Sequence, residues 1–118
     1  MTPGRRKHVE VVVGHNGRAV AIDKGIVKLI KELWRVEYHT SACCEGWVKP
    51  RRGFQDNWHS HWAYIAFPYW NTALGFAVNA SKVVAELELN LSKDGTADVR
   101  FPKKCIPAIT KRFRGLER

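Results

Sequence analysis

Two adjacent cysteines and a pair of histidines are the most reactive side chains in this sequence. Cys43 and Cys44 close the run YHTSACC, and His59 and His61 lead into Trp62 in NWHSHW. Read as the ends of two strands joined by a long loop, the four side chains meet at the loop end. Imidazole, thiolate and carboxylate suit zinc, so His59, His61 and Cys44, with Glu45 or Asp56, are one candidate metal site. A thiol beside an imidazole is also a candidate nucleophile, which makes Cys43, Cys44, His59 and His61 a candidate catalytic set. Strand geometry limits both readings. His59 and His61, two apart, share a face, whereas adjacent Cys43 and Cys44 point to opposite sides, so at most one cysteine joins the histidines. His39 shares the face of Cys43 but lies ~13 Å away along an extended strand. There is no CxxC pair and no His pair at helical spacing, and a polar hairpin end with a buried cysteine and surface histidines stands as the plain alternative.

The loop between these ends has a second chemistry. Trp47, Trp58 and Trp62 interleave with Lys49, Arg51, Arg52 and Phe54. Aromatic faces with nearby cations stack unpaired bases and hold phosphates. The same residue types mark protein-binding hot spots, and a loop folded over the sheet on its own aromatics explains them equally well. Trp34 and Trp70 fit helix faces and read as core.

The net charge is +9. Arg5, Arg6 and Lys7 contribute +3, Lys49, Arg51 and Arg52 another +3, and the segment from Lys103 to Arg118 +5, leaving −2 for the rest. A surplus at both ends and in the central loop suits a polyanion such as nucleic acid, or an acidic protein surface; solvated basic tails would look the same.

The elements that position these residues follow from periodicity. His8 to Val13 alternates as a strand, and Asn16-Gly17 predicts a two-residue hairpin pairing Val13 with Val20 and Val11 with Ile22. Asp23 is placed to cap a helix over 24–36, whose Ile26, Val27, Ile30, Leu33 and Trp34 recur at helical spacing while Lys24, Lys28, Lys31, Glu32 and Arg35 fill the other positions. Glu37 to Cys43 and His61 to Phe67 read as strands. A second helix, capped by Asn71 or Thr72 and running to about Ser81, carries Trp70, Leu74, Ala77, Val78 and Ser81 as its stripe. Val84 to Ser92 and Thr96 to Phe101 form a hairpin with Leu87, Leu89 and Leu91 inward. A three-residue loop with Gly95 left-handed pairs Leu91 with Ala97, Leu89 with Val99, Leu87 with Phe101 and Glu88 with Arg100. Lys104 to Arg114 is a last helix on Ile106, Ile109 and Phe113, stopped by Gly115.

This order predicts an α+β fold: a single mainly antiparallel sheet with helices packed on it. It has a ferredoxin-like βαββαβ core plus an N-terminal hairpin strand and a C-terminal helix. In the simple ferredoxin-like order the first core strand has no free edge, so either the extra strand is inserted or the order differs. Residues 1–118 read as one domain, with 1–7 and 115–118 as flexible basic tails. No apolar run approaches the ~18 residues that span a bilayer, and MTPGRRKHVEVVV is unlike a signal peptide. Three cysteines, two adjacent, make no disulfide framework and fit a cytoplasmic protein.

Residues 23–46, DKGIVKLIKELWRVEYHTSACCEG, resemble a segment of small uncharacterised bacterial and phage proteins in which an Asp-x-x-Ile helix runs into Thr-x-x-Ser-Cys. AYIAF and VRFPKKCIPAITKRF are similar to that group as well, so the likeness touches about half the chain in three patches. The helix-to-cysteine pattern also distantly resembles the tRNA wybutosine-synthesis methyltransferase family and its Thr-Ser-Ser-Cys-Ser-Gly motif, with Ala42 and Glu45 standing in place of serines. The phage likeness implies a role in host–virus interaction, and a phage-encoded inhibitor of host defence is one concrete form of it. Three functions therefore stand beside each other. One is a basic module binding nucleic acid or a nucleic-acid-processing protein. The second is an RNA- or nucleotide-acting enzyme using the Cys/His site, and the third is a structural or assembly protein, including a homo-oligomer.

Overall fold

The computed structural model describes residues 10–44 and 62–116. Within them the chain runs β1 (Glu10–His15), β2 (Arg18–Asp23), a 3-10 turn, α1 (Val27–Arg35), β3 (Ala42–Cys44), β4 (Trp62–Phe67), α2 (Trp70–Ala80), β5 (Glu88–Leu91), β6 (Ala97–Pro102), a second 3-10 turn and α3 (Ile106–Arg114). The class is α+β, with antiparallel strands and helices packed on them.

The N-terminal hairpin forms in the expected register, Val13 opposite Val20 and Val11 opposite Ile22. Asn16 and Gly17 sit at φ 52° and 77°, the left-handed pair that matches the twist of a two-residue hairpin. The second hairpin holds three of its four expected pairs, Leu91 with Ala97, Leu89 with Val99 and Glu88 with Arg100; β5 begins at Glu88, so Leu87 with Phe101 falls outside the ladder, and Leu91, expected inward, is exposed at the strand's end. Gly95 is at φ 94° and the Ser92 amide donates to the Thr96 carbonyl across the loop.

The strands hydrogen-bond as two sheets, β1-β2 alone and four strands in the order β3-β4-β6-β5. The strand order thus differs from the simple ferredoxin-like one: β6 lies beside β4, and the N-terminal hairpin packs against β3 as a separate ladder. The strand expected from Glu37 shrinks to Ala42–Cys44 because α1 ends in a left-handed turn. Glu37 is at φ 64°, its amide donates to the Trp34 carbonyl, and the Tyr38 amide donates to the Leu33 carbonyl. That bond pair is a Schellman stop, built here on a non-glycine residue.

Three other local expectations shift. Asp23 occupies the position before the first helical turn, but its carboxylate makes no capping hydrogen bond. The second helix starts at Trp70, with Tyr69 before it, one to two residues ahead of Asn71 and Thr72. Its buried side is Ala73, Phe76, Ala77 and Ala80, so Trp70, Leu74 and Val78 of the expected core stripe face outward. The reason is packing. Phe76 fills the centre of the core, with ring centroids 5.4 Å from Phe67, 5.9 Å from Phe101 and 5.4 Å from Phe113. The alanines around it let the helix approach the sheet closely.

One buried cluster joins every layer: Ile22 from the hairpin, Leu29, Ile30 and Leu33 from α1, Ile65 and Phe67 from β4, Val99 and Phe101 from β6, and Ile109 and Phe113 from α3. Each fully buried Phe or Leu contributes about 1.5–3 kcal/mol of transfer free energy. Helix α2 covers β4, β5 and β6, and α3 lies between α2 and α1, contacting both. Among the described residues no helix is long and apolar enough to cross a membrane.

Candidate nucleic-acid interface

Of the residues singled out by sequence, Cys43, Cys44 and Trp62 lie in the described structure. His59, His61, Glu45, Asp56, Trp47, Lys49, Arg51, Arg52, Phe54 and Trp58 fall outside the described residues. Strand β3 sets Cys43 opposite Ile65 and Cys44 opposite Tyr64, so the two thiols do take opposite faces. Cys43 packs against the core. Burial, then the nearby Asp23 carboxylate, the Cys44 thiol and the Glu10 carboxylate, push its thiol up to about 12. At neutral pH Cys43 is therefore protonated, a state unsuited to nucleophilic attack. Among the described residues no three His, Cys, Asp or Glu side chains are grouped to hold a metal ion.

Trp62 begins β4 on the face of the four-stranded sheet turned away from the helices. With half-buried Cys44, Tyr64, Ala66, Asp98, Arg100 and Asn90 and exposed Glu88 it makes a polar and aromatic surface. Among the described residues its charges are one cation and two carboxylates, and Arg100 donates to Asp98 at 2.9 Å. Burial pushes the Tyr64 phenol up, so the ring is neutral at ordinary pH. A face with more carboxylates than cations is a poor seat for a phosphate chain.

The cationic surface lies on the other side of the molecule. Lys24, Lys28, Lys31 and Arg35 recur at spacings of four, three and four residues, one stripe along the outside of α1 and its leading turn. Lys104, Lys111 and Arg114 are exposed along α3 and its leading turn, with Lys103 and Arg112 half-exposed beside them. Because α1 packs on α3, residues 24–36 and 103–116 form one two-helix layer with nine basic residues and one acid, a net +8 within a chain of +9.

The arginines of this layer hold it together. Arg35 Nη2 donates to the carbonyls of Phe113 (2.8 Å), Arg114 (3.3 Å) and Leu116 (2.9 Å), tying α1 to the C-terminal end of α3 and the residues just after it. The single acid, Glu32, bridges Arg35 at 2.7 Å and Arg114 at 3.7 Å, joining the two helices. Arg112 donates to Asn79 Oδ1 at 3.0 Å and so ties α3 to α2. The lysines are different: Lys24, Lys28, Lys31, Lys103, Lys104 and Lys111 have no ion pair among the described residues. The α1 stripe extends about 16 Å at 1.5 Å per residue, enough to follow several phosphates.

Sequence reasoning read the α1 lysines as the wet side of an amphipathic helix and counted the C-terminal cations as a separate cluster. The i, i+4, i+7, i+11 stripe is visible in the sequence. What joins it to α3 is tertiary packing between segments nearly eighty residues apart. Comparison of the chain with family models, with curated proteins and with solved structures returns no match.

Proposed function

We propose that this protein is a small cationic binding module that grips the phosphate backbone of a nucleic acid with the outer face of α1 and α3. One observation carries the reading: residues 24–36 and 103–116 gather nine basic residues against one acid on two packed helices, and six of the nine are lysines free of ion pairs among the described residues. Lysine is a compact point charge suited to phosphate, and such contacts release counterions without reading sequence. The module therefore binds many sequences with similar affinity, and its affinity falls steeply with salt.

Fluorescence anisotropy with unrelated duplex and single-stranded oligonucleotides tests this directly. Binding at ~50 mM salt is expected, with log K against log salt falling at a slope of about −4 to −5, the share of counterions that six lysines release. In the fourfold variant Lys28→Ala, Lys31→Ala, Lys104→Ala and Lys111→Ala, the slope is expected to flatten by about 3 to 4. No binding to any oligonucleotide at low salt would overturn the proposal, as would a variant whose slope matches that of the parent.

A further inference from the structure

The outer face of α2 has no role in phosphate binding, and it is the least charged surface described. From Phe67 to Ser81 there is no charged residue. Trp70, Leu74 and Val78 recur every four residues along its outside and are 45%, 54% and 52% exposed; Leu91, at the end of β5, is 53% exposed. Trp70 is fixed there, its indole N–H donating to the carbonyls of Ser92 at 3.0 Å and Thr96 at 2.9 Å, which ties the stripe to the β5-β6 hairpin. Leu91 pairs with Ala97 on the helix-covered side of the sheet, so the stripe continues from α2 onto the sheet margin. Beside it the sheet is open: β5 is an outer strand of the order β3-β4-β6-β5, with no further ladder partner among the described residues.

We infer that this surface docks a second copy of the chain, α2 against α2 and β5 edge beside β5 edge, across a two-fold axis. Three features point to a second copy rather than to another occupant. An open antiparallel edge strand is self-complementary under two-fold symmetry. The adjoining apolar helix stripe supplies the burial that an edge pairing alone lacks. Charge favours the face: two chains of +9 repel, the α2 stripe carries no charge, and the one charge on β5 is the carboxylate of Glu88, which adds no positive charge to the contact. In this arrangement α3 lies between the interface and α1, so the α1 lysines stay clear of the partner. The inference does not depend on the nucleic-acid reading.

Sedimentation equilibrium on the full chain, nuclease-treated, at ~100 µM is the test. A dimer is expected, unchanged or tighter as salt is raised, because its interface is apolar. The double variant Leu74→Glu with Val78→Glu is expected to weaken dimerisation at least ~10-fold, since each charge would be buried without a partner. Leu91→Lys, placed outside the helix, is expected to weaken it too, while Val12→Glu, an exposed hydrophobic on the distant hairpin, is expected to leave it intact. Circular dichroism melts report whether each variant folds. A strict monomer at this concentration would overturn the inference, as would a dimer lost on raising salt, a dimer that survives both interface changes, or one that Val12→Glu disrupts equally.

Discussion

The outer faces of α1 and α2 are both solvent-exposed sides of helices packed over one core, yet they are built from opposite materials. Along α1 the exposed stripe is Lys24, Lys28, Lys31 and Arg35; along α2 it is Trp70, Leu74 and Val78. Their buried sides differ in a complementary way. Helix α1 puts its large aliphatic residues inward, Leu29, Ile30 and Leu33, whereas α2 buries three alanines and one phenylalanine and leaves its bulk outside. A helix that buries alanine while exposing tryptophan and leucine is not arranged for its own stability alone, because the larger transfer free energy is left unused. The comparison separates two kinds of surface: a charged one that attracts at long range and is screened by salt, and an apolar one that acts only on contact.

The comparison breaks most completely where the two regions share support. Phe113 stacks on Phe76 of α2 and meets the Tyr38 ring edge-on at 5.5 Å, just beyond the end of α1. Phe113→Ala is expected to cost about 3–5 kcal/mol, measured by urea unfolding, and to weaken polyanion binding and dimerisation together. A cross-over experiment sharpens the separation. The four-lysine variant is expected to lose oligonucleotide binding while keeping its dimer and its melting temperature. The Leu74→Glu, Val78→Glu variant is expected to do the reverse, with stability within about 0.5 kcal/mol of the parent when both are measured dilute enough to be monomeric, where both sites are exposed. If either variant loses both properties while still folded, the two faces are one surface. The smallest effect is at the end of α1. Glu37→Gly relieves a left-handed non-glycine residue but also removes the interaction of the Glu37 side chain, so a net change within about 0.5 kcal/mol is expected in the same urea series. It also removes an acid near the cationic layer, so oligonucleotide affinity at low salt should rise slightly.

Local chemistry made much of the fold legible in the sequence. Asn16-Gly17 and Lys93-Asp94-Gly95 dictate turn geometry, and each turn determines the register of the strands beside it, so the register of both hairpins was legible, though the length of β5, which stops short of Leu87, was not. The apolar spacing of α1 was equally plain. The direction of α2 was not, because an apolar residue occurs on nearly every side of that helix; choosing between Leu74 and Phe76 as the inward residue requires knowing that Phe67, Phe101 and Phe113 surround the latter. Glu37 looks like strand in the sequence because its left-handed turn has none of the glycine that normally announces one. The cationic layer was legible only in halves, since charge counted along a chain does not reveal which helices pack side by side. The aromatic and basic positions from Trp47 to Trp58 lie outside the described residues, and Trp62 sits on a sheet face richer in acid than in base.

The Arg35 clamp has a consequence for when the cationic layer comes into being. Its guanidinium reaches carbonyls 78 to 81 positions further along the chain, so the contact closes one of the longest loops in the fold. Closing such a loop is entropically unfavourable, and contacts of this separation form late in folding. The α1 lysines and the α3 lysines are therefore neighbours only through packing between distant parts of the chain. With the two helices undocked, the nine cations of the layer stand as two separate patches of four and five, and the proposed grip on a polyanion requires both. On the proposed function, polyanion affinity followed in real time during refolding is expected to rise as α1 docks on α3.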